Sequence, residues 1–552
     1  MIASVACHNY RSLERVIIPI GALTALVGPN GAGKSSVLRA IDVVLGSRWP
    51  TLASIQVPED FTRFDATREL SITVGFDPPL AHEDALRKTH NITALRVTCA
   101  PYKRSGSYGD AGDLHVEFDA LDAKGETPMV AVGRSQGGGR PPFRPLTVGS
   151  GLRDQARVLF IDHRRSLAQH LPGTRGSILG QLLAPARKAF EAAEAGSPVG
   201  REAFTERYDA AMAALRTDRV QEVESTISET AKRMIGFLGS RAVANVDIRF
   251  GFADPANPFN SLRLDYSEEG LTVPGSALGL GVQSAMVVGI FDALRRLGKS
   301  VGTLIIEEPE MYLHPQAQRY FYRLLCDMAE SGDAQVIYST HSPIFADATR
   351  FECVRLIRRP VGQHSIVSSV SKAEDRAYLA ERRDKQKLVT GFNSSRSELF
   401  FAQKVLLVEG PGDQLAVRLT AERFGVDLDA EDLAVIECGS KFSIPFFAKV
   451  CTAFGIGFVV LHDEDIYVEE GADEEKAKTR AQNTEHRKVN VEIALLAPNA
   501  DQVFVFSPSL EAVLGIGRHA PDKPRRIVEA LSALADISVP VELKMSLEAL
   551  TL

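Results

Sequence analysis

The sequence predicts an α/β protein with more than one domain. Two separate regions contain short apolar runs that end in acidic residues, such as "GTLIIEEPE" at 302–310 and "VLLVEGPGD" at 405–413. Such runs are typical of buried parallel strands, and the segments that follow several of them have the apolar spacing of helices. A helix-rich stretch interrupts the first region. We therefore expect two α/β units, the first of which carries a helical insertion.

The composition is that of a globular protein without a membrane segment. The chain has 552 residues, of which 45% are apolar and 24% are charged, and its length suggests roughly three or four domains. No apolar run is long enough to cross a bilayer, and the N-terminus lacks a signal-peptide pattern. The six cysteines include no CxxC pair, which favours reduced thiols in the cytoplasm and no structural zinc. With a net charge of −7, any contact with DNA has to use local basic patches.

A phosphate-binding loop is predicted near the N-terminus. "GPNGAGKSS" at 28–36 fits GxxxxGK[ST] and lies between the apolar strand "LTALV" and the helix "SVLRAIDVVL". Glycines allow backbone N–H groups to surround a phosphate, and the start of the helix adds partial positive charge. A glycine turn with a chance lysine is the alternative, but the strand and helix around the motif are the context that phosphate binding requires. The residues predicted to hold ATP, with Lys34 on the β- and γ-phosphates and Ser35 on Mg²⁺, are Gly28, Asn30, Gly31, Gly33, Lys34, Ser35 and Ser36.

Two later strands end in residues suited to ATP hydrolysis. "GTLIIEEPE" brings Glu307 and Glu308 to the carboxyl end of a buried strand, which is where parallel sheets bind their ligands. We expect Glu307 to hold Mg²⁺ through water and Glu308 to polarise the attacking water. "AQVIYSTHSP" at 334–343 is another buried strand. It ends at His341, a candidate contact of the γ-phosphate, for which an ordinary loop histidine is the alternative.

The order of these motifs resembles the SMC-like branch of the ABC-type ATPases. A glycine-rich turn at 279–281 opens a helix and lies between the helical insertion and the acidic strand. In that family the corresponding segment binds the γ-phosphate of the opposite subunit, so the resemblance implies an ATPase that dimerises around nucleotide. The segment here reads "LGLGVQS" rather than LSGGQ. Gln56 is the candidate for the Q-loop glutamine of the family.

The helical insertion is predicted at 165–237. "LLAPARKAFEAAEA" and "VQEVESTISETAKRMIGFL" have apolar residues at three- and four-residue spacing and are separated by a "GSPVG" turn, which predicts two amphipathic helices. Such a hairpin has to bury its apolar face, and we expect it to do so in a homodimer contact. The glycine- and proline-rich stretch at 133–145 is expected to be a loop.

A second group of carboxylates is predicted in the C-terminal region. Glu409 ends one apolar strand and Asp413 begins the next helix, Asp463 and Asp465 follow the strand "GFVVLHDED", and Glu511 follows "QVFVF". The carboxyl ends of parallel strands share one edge of a sheet, so we expect these carboxylates to converge and to hold Mg²⁺ or Mn²⁺. The alternative is that acidic residues cap loops and helix starts, and for Glu511 alone it is equally good.

A strand-terminal glutamate followed by a later DxD resembles the Toprim domain. Toprim primases carry cysteine zinc sites and Toprim topoisomerases need a strand-passage region, and because this chain has neither, the nuclease class is left. An ABC-type ATPase followed by a Toprim domain resembles the overcoming-lysogenisation-defect (OLD) family of nucleases, whose layout the Gabija nuclease subunit shares. The resemblance implies metal ligands at Glu409, Asp413, Asp463, Asp465 and Glu511.

The same resemblance implies a catalytic lysine in the C-terminal region. Lys544 in "VELKMSL" is the nearest match, and Lys441 in "ECGSKFSIPFF" is a competing phosphate-binding candidate. Basic clusters at 163–166, 382–387 and 522–526 are candidates for contacts with DNA phosphates. The alternative for each cluster is a solvated surface.

The expected protein is a cytoplasmic, ATP-binding endonuclease that cuts DNA with Mg²⁺ or Mn²⁺, in anti-phage defence or DNA processing. Its expected partners are DNA, further copies of the chain in a homodimer or higher homo-oligomer, and a helicase or another defence-system subunit, with no membrane. Two alternatives stay open: a DNA-repair clamp with a non-catalytic Toprim domain, and an effector subunit that a partner activates. The expected domains are an ATPase domain in two parts (1–164 and 238–371), the helical insertion (165–237), a linker (372–398) and a Toprim domain (399–552). For the charged stretch 372–387 of this linker, a helix is the alternative.

Overall fold

A computed structural model gives the fold of the chain. It describes residues 1–46, 48–104, 109–132, 142–156, 158–162, 179–180, 183, 218–236, 247–251, 263–268, 271–296, 302–386, 388, 394–517 and 520–551.

The described strands are, in chain order, β1 (Ile2–Tyr10), β2 (Leu13–Pro19), β3 (Leu23–Val27), β4 (Leu70–Glu83), β5 (Thr89–Pro101), β6 (Leu114–Leu121), β7 (Met129–Ala131), β8 (Phe143–Pro145), β9 (Val158–Ile161), β10 (Asp247–Gly251), β11 (Arg263–Glu268), β12 (Leu271–Pro274), β13 (Gly302–Glu307), β14 (Ala334–Thr340), β15 (Val354–Arg358), β16 (Ile366–Ser368), β17 (Lys404–Val408), β18 (Leu433–Glu437), β19 (Gly457–Asp463) and β20 (Val503–Phe506). The described α-helices are α1 (Lys34–Leu45), α2 (Ser150–Gln155), α3 (Asp218–Gly236), α4 (Leu280–Arg296), α5 (Pro315–Glu330), α6 (Ala373–Lys385), α7 (Pro411–Arg423), α8 (Ile444–Phe454), α9 (Asp473–Leu496), α10 (Leu510–Val513), α11 (Lys523–Ala533) and α12 (Val541–Thr551).

The chain divides into two compact units. The first contains Met1–Leu26, Asn30–Thr340 and Arg358–Ile366, and the second contains Val27–Pro29, His341–Ile357 and Val367–Leu552. The first unit includes an antiparallel sheet in the order β2-β1-β4-β5-β6. It also includes β3, β14, β13 and β9, which lie side by side in that order within a six-stranded sheet.

The strands β13 and β14 position the acidic end of the first unit. They pair in parallel, with Glu307 opposite Ser339. All seven residues of β14 are buried, as expected for a strand that is covered on both faces. The apolar run "LII" therefore places Glu307 at the same edge of the sheet at which β14 ends.

The second helix of the predicted insertion packs within its own chain. Residues 218–236 form α3, and its apolar side chains, among them Ile227 and Met234, are buried. Ile227 lies against α4, where a Cβ atom at Gly289 would come within 3.1 Å of the Ile227 carbonyl oxygen. In the same buried contact, Thr230 Oγ1 donates a 2.8 Å hydrogen bond to Asp292 Oδ2. Because α4 covers this face of α3, the apolar face of this helix is buried within the chain, and a homodimer contact through the insertion stays a prediction for its other residues.

The second unit contains a parallel sheet in the order β18-β17-β19-β20. In its register Val408 lies opposite Leu461, and Asp463 lies opposite Phe506, so the carboxyl ends of three strands meet at one edge. Side chains of α7, α11 and α12, such as Val417, Ile527 and Leu543, pack with those of the strands in one buried apolar cluster. This cluster fixes the strand ends that carry the acidic residues.

Several predicted elements are confirmed. "LTALV" forms β3, the helix after the phosphate loop forms α1, and the acidic runs form β13, β17 and β19. The loop predicted at 133–145 is wrong for 143–145, which form β8 because they pair with β7; Pro145 is tolerated at the end of such a strand. The segment 372–398 is predicted as a linker, with a helix as the alternative for 372–387. Residues 373–385 form the helix α6, and a 3₁₀ helix at Ser394–Phe400 begins before the segment ends.

Other predictions fall on the remaining part of the chain. Residues 133–141, the basic cluster 163–166, and residues 165–217 of the insertion apart from 179–180 and 183 lie outside the described residues. In the described part of the chain, no helix combines the length and apolar character needed to cross a membrane. The six cysteines are all free thiols.

Candidate nucleotide and metal sites

The backbone of the phosphate loop has positive φ angles at three of its glycines. Gly28, Gly31 and Gly33 have φ angles of 143°, 72° and 111°, a region that favours glycine. At Gly33 a Cβ atom would lie 2.6 Å from Ser12 Oγ and 2.8 Å from Ser365 Oγ, so a side chain there would strain the backbone and displace both hydroxyl groups. α1 begins with the next residue, Lys34, and the backbone N–H groups at the start of a helix are positioned to bind a phosphate beside the loop.

Lys34 is the buried cation of this site. Its side chain is 5% exposed, and burial lowers its pKa to about 8 against the opposing effect of Glu308, Glu310 and Glu307. These three glutamates end and follow β13, as the sequence predicts for two of them. Glu310 is an addition: its Oε1 accepts a 2.9 Å hydrogen bond from Thr340 Oγ1. The third glutamate of "EEPE" is the signal in the sequence that points to it.

The residues predicted to hydrolyse ATP directly follow two adjacent strands, β13 and β14. Glu308 directly follows β13, with φ at 49°, and its N–H donates to the Ser339 carbonyl oxygen over 3.0 Å. β14 ends at Thr340, and His341 is the next residue. Gln56, the Q-loop candidate, is exposed and accepts a 3.4 Å hydrogen bond from the Arg11 guanidinium.

Three of the predicted metal ligands converge in the second unit. Glu409, Asp463 and Asp465 each place a carboxylate oxygen within 4.8 Å of the other two. Glu409 follows β17 and Asp463 is the last residue of β19, so these two carboxylates meet because the two strands are parallel neighbours. Asp465 follows two residues later with a φ of 57°.

Backbone hydrogen bonds orient this acidic cluster, by which we mean Glu409, Asp463 and Asp465. The N–H of Asp463 donates to Glu409 Oε1 over 2.9 Å. The N–H of Leu510 donates to Asp463 Oδ1 over 2.8 Å. The N–H of Asp465 donates to the Pro508 carbonyl oxygen over 2.8 Å. The segment after β20 thus supports Asp463 at the end of β19 and Asp465 just after it.

The acidic cluster fits a hard divalent cation. Burial, followed by the charges of Asp463 and Asp413, raises the pKa of Glu409 well above its ordinary range. Burial and the charge of Asp413 likewise raise the pKa of Asp463 to about 8. Carboxylates held together in this way repel one another when ionised, and a cation would remove that repulsion. A donor set made of carboxylate oxygens suits Mg²⁺ or Mn²⁺.

Asp413 and Glu511, the other two predicted ligands, border the acidic cluster. Asp413 Oδ2 accepts a 3.0 Å hydrogen bond from the Gly410 N–H at the start of α7. Burial, together with the charge of Glu511, raises the pKa of Asp413 to about 7. Glu511 Oε1 accepts a 2.6 Å hydrogen bond from Lys523 Nζ, and although burial acts in the opposite direction, this bond lowers the pKa of Glu511.

The two candidate lysines have different surroundings. Lys544 Nζ donates to the Ile537 carbonyl oxygen over 3.3 Å and lies 5.6 Å from the centroid of the Phe424 ring, so its described contacts do not include the acidic cluster. Lys441 is 2% exposed. Its Nζ donates to the Glu464 carbonyl oxygen over 2.9 Å and to Asp465 Oδ2 over 3.3 Å.

The described basic clusters are partly neutralised by ion pairs. In the cluster at 382–387, Arg382 pairs with Glu492, and Arg383 Nη1 lies 3.0 Å from Glu352 Oε1. In the cluster at 522–526, Lys523 pairs with Glu511 as described above, whereas Arg526 is exposed beside it. The second cluster therefore adjoins the acidic residues, as a DNA contact would require.

Two residues that contact the acidic cluster are not predicted by the sequence analysis. Tyr467 Oη donates to Asp465 Oδ1 over 3.2 Å, and His486 Nδ1 lies 3.5 Å from Asp465 Oδ2. Tyr467 is two residues after the DxD, and its position offered a weak signal. His486 lies inside α9, and a histidine within a polar helix has no pattern that distinguishes it.

Comparisons with known proteins give matches over most of the chain. The family model "AAA ATPase domain" matches residues 1–96 and 163–346, and "Overcoming lysogenization defect protein-like, TOPRIM domain" matches residues 400–465. A protein named "OLD nuclease" from Thermus scotoductus is 50% identical over 542 residues, which are 98% of this chain and 96% of the relative. The "Old nuclease" of Escherichia phage P2 is 22% identical over 84% of this chain and 77% of the relative. "Endonuclease GajA" of Bacillus cereus is 23% identical over 29% of this chain and 27% of the relative.

Proposed function

The chain belongs to the OLD nuclease family, and from that premise we propose that Glu409, Asp463 and Asp465 hold the divalent cation with which it cuts DNA. The chain combines an ATPase domain with a Toprim nuclease domain. The observation that carries the proposal is the convergence of the three carboxylates within 4.8 Å. We assign hydrolysis of DNA phosphodiesters to this site.

The residues of the chain hold and orient the reacting groups. Bound Mg²⁺ or Mn²⁺ supplies an activated water and stabilises the charge that develops on the scissile phosphate. Glu409 and Asp463 keep their orientation through the backbone N–H groups that bind them. Because burial and repulsion raise their pKa values, these carboxylates release protons as the cation binds. Asp413 and Glu511 contribute negative charge from the border of the cluster.

The first site binds and hydrolyses ATP. The phosphate loop residues Gly28, Asn30, Gly31, Gly33, Ser35 and Ser36 surround the phosphates, with Ser35 also on Mg²⁺. Lys34 binds the β- and γ-phosphates, Glu307 holds Mg²⁺ through water, Glu308 is the general base, and His341 contacts the γ-phosphate. The burial of Lys34 among the glutamates that follow β13 supports these roles.

A homodimer is the proposed assembly. Gly279 is exposed, and α4 begins at Leu280, so the start of this helix is available to the γ-phosphate of a second copy. Light scattering on the Glu308→Gln protein, with and without ATP, tests this assembly. A monomer at the same protein concentration with ATP bound would contradict it.

The proposed role is anti-phage defence, in line with the resemblance to the Gabija nuclease subunit. A helicase or another defence subunit is a further proposed partner. Pull-down of this chain with the products of its neighbouring genes, with and without ATP, identifies such a partner. Recovery of the chain alone would favour a nuclease that acts by itself.

Nicking of supercoiled plasmid tests the function directly. The assay compares Mg²⁺, Mn²⁺ and a chelator, each with and without ATP. We expect conversion to the open-circular form only when a divalent cation is present, and the arms with ATP report whether nucleotide licenses or restrains cutting. A protein that binds ATP and DNA but nicks plasmid with neither cation, alone or with the partner that the pull-down recovers, would instead be a DNA-repair clamp.

A further inference from the structure

We propose that Lys441 is a positioning residue of the metal centre, which holds the Asp465 carboxylate in the acidic cluster against the repulsion of Glu409 and Asp463. This inference rests on the proposed metal centre. It assigns the lysine to cation binding rather than to direct contact with a DNA phosphate.

The first argument is the burial of the Lys441 ammonium. Its side chain is 2% exposed, and a buried charge is tolerated only with partners that compensate for lost hydration. Both described partners of Nζ, the Glu464 carbonyl oxygen and Asp465 Oδ2, belong to the loop that follows β19. The amine is therefore directed at the DxD loop rather than at solvent, where a DNA phosphate would arrive.

The second argument is that Lys441 comes from a rigid part of the fold. It begins a 3₁₀ turn, Lys441–Ser443, that leads directly into α8. Phe446 and Phe447 in the first turn of α8 are fully buried, which anchors the helix start. The position of the ammonium is thereby fixed independently of the loop that it binds.

The third argument is that Asp465 needs support. Its backbone has a φ of 57°, in the left-handed region that costs energy for most residues other than glycine, and its carboxyl group lies within 4.8 Å of those of Glu409 and Asp463. The Asp465 side chain is 20% exposed, so it has room to turn towards water. Tyr467 and His486 also contact it, but of these three side chains only Lys441 carries an aliphatic amine.

Loss of Lys441 should therefore weaken cation binding. Residues that orient metal ligands typically contribute about 10- to 100-fold to metal affinity when they are substituted. We expect Lys441→Met to raise the half-saturating Mn²⁺ concentration within this range, and to leave the ATPase rate unchanged because Lys34 and Glu308 lie in the other unit. Should the methionine variant not fold, Lys441→Gln removes the charge while retaining an N–H donor, and the same rise is expected.

The measurement is a Mn²⁺ titration of metal-free protein without DNA. Its two readouts are the shift in melting temperature and the heat of binding measured by calorimetry. Lys449→Met is the matched control. Lys449 lies on α8, the helix that follows Lys441, and its Nζ pairs with Asp375 Oδ1 over 2.7 Å. It should bind Mn²⁺ like the parent. Parent protein that shows no response to Mn²⁺ would overturn the metal centre itself, which is a different result from the loss expected in the lysine variant alone.

A double-mutant cycle separates positioning from a general structural role. If Lys441 acts through Asp465, then Lys441→Met should have little further effect on Mn²⁺ affinity in an Asp465→Asn background. A lysine that only stabilises the fold would cause the same loss in both backgrounds. The proposal is overturned if Lys441→Met binds Mn²⁺ like the parent, or if its effect and that of Asp465→Asn are additive.

Discussion

The backbone N–H of Asp463 donates a 2.9 Å hydrogen bond to Oε1 of Glu409. This bond joins the ends of two adjacent parallel strands, in which Val408 lies opposite Leu461. The acidic cluster is therefore built on the sheet itself, whose two strands are buried at 405–408 and at 458–462. Truncation of the Glu409 or Asp463 side chain should therefore leave the sheet intact and remove a proposed cation ligand.

Glu409→Ala and Asp463→Ala should each abolish cation-dependent nicking and leave the ATPase rate close to that of the parent. Each substitution deletes a ligand of the metal centre, whereas Lys34 and Glu308 belong to the other unit. Plasmid nicking in Mn²⁺ and phosphate release from ATP, measured on the same preparations, check both halves of the expectation.

Asp473→Ala is the control for these two variants. Asp473 is the exposed first residue of α9, so its loss removes an acidic charge from the same unit without touching the cluster. It should nick plasmid like the parent. If the Glu409 and Asp463 variants also nick like the parent, the C-terminal domain is a scaffold and cleavage belongs elsewhere.

Asp463→Asn should stabilise the metal-free protein at alkaline pH. Burial and the charge of Asp413 raise the pKa of Asp463 to about 8, so the folded state binds a proton more tightly than the unfolded state does. The ionised carboxylate therefore destabilises the fold increasingly as pH rises from about 4 to 8, and the full effect is present above 8. An amide carries no such charge.

Thermal unfolding with a chelator at pH 5 and pH 8.5 measures this effect. The asparagine variant should melt at a higher temperature than the parent at pH 8.5, with a smaller difference at pH 5. Excess Mn²⁺ should reverse the order at pH 8.5, because a bound cation stabilises the parent preferentially. An asparagine variant less stable than the parent at pH 8.5 with chelator would contradict the repulsion between the carboxylates.

The sequence was sufficient to predict where the acidic residues lie, but not which of their carboxylates come within 4.8 Å of one another. Glu409 and Asp463 end apolar runs, and parallel pairing of those runs brings them together. Asp413 and Glu511 follow the same pattern, yet their carboxylates accept hydrogen bonds from the Gly410 N–H and from Lys523. Such side-chain partners depend on rotamers and on helix packing, which strand periodicity does not encode.

The lysines illustrate the same limit. Lys544 is the nearest match to the C-terminal lysine that the family resemblance implies, but its amine donates to the Ile537 carbonyl oxygen. Lys441 lies in a short turn between β18 and α8, and its contact with Asp465 depends on the order of the strands in the sheet. The packing of α3 against α4 was likewise beyond prediction, because an amphipathic pattern shows that a face is buried and not what covers it.

Glu308→Gln should bind ATP like the parent and hydrolyse it at a strongly reduced rate. An amide of the same size preserves the turn after β13 but cannot accept a proton from the attacking water. Nucleotide binding measured by calorimetry and phosphate release measured under saturating ATP separate the two effects. Lys34→Ala is the comparison, and it should weaken binding itself. Hydrolysis by the Gln variant at the parental rate would show that another residue is the general base.

The affinity for ATP should fall as pH rises above about 8. Burial lowers the pKa of Lys34 to about 8, and the β- and γ-phosphates favour the protonated ammonium. Below pH 8 the free protein already carries this proton, so affinity should change little there. Above pH 8 each ATP bound has to bring a proton with it, and the dissociation constant should increase roughly tenfold between pH 7 and pH 9.

Calorimetry in two buffers of different ionisation enthalpy measures both the affinity and the proton uptake. Lys34→Arg supplies the matched comparison, since a guanidinium stays charged throughout this range. The arginine variant should bind ATP more weakly than the parent because it does not fit the lysine's buried position, but its affinity should be independent of pH between 7 and 9. If the parent shows the same flat profile and takes up no proton at pH 9, then Lys34 remains charged in the free protein. The glutamates that follow β13 would in that case outweigh the effect of burial.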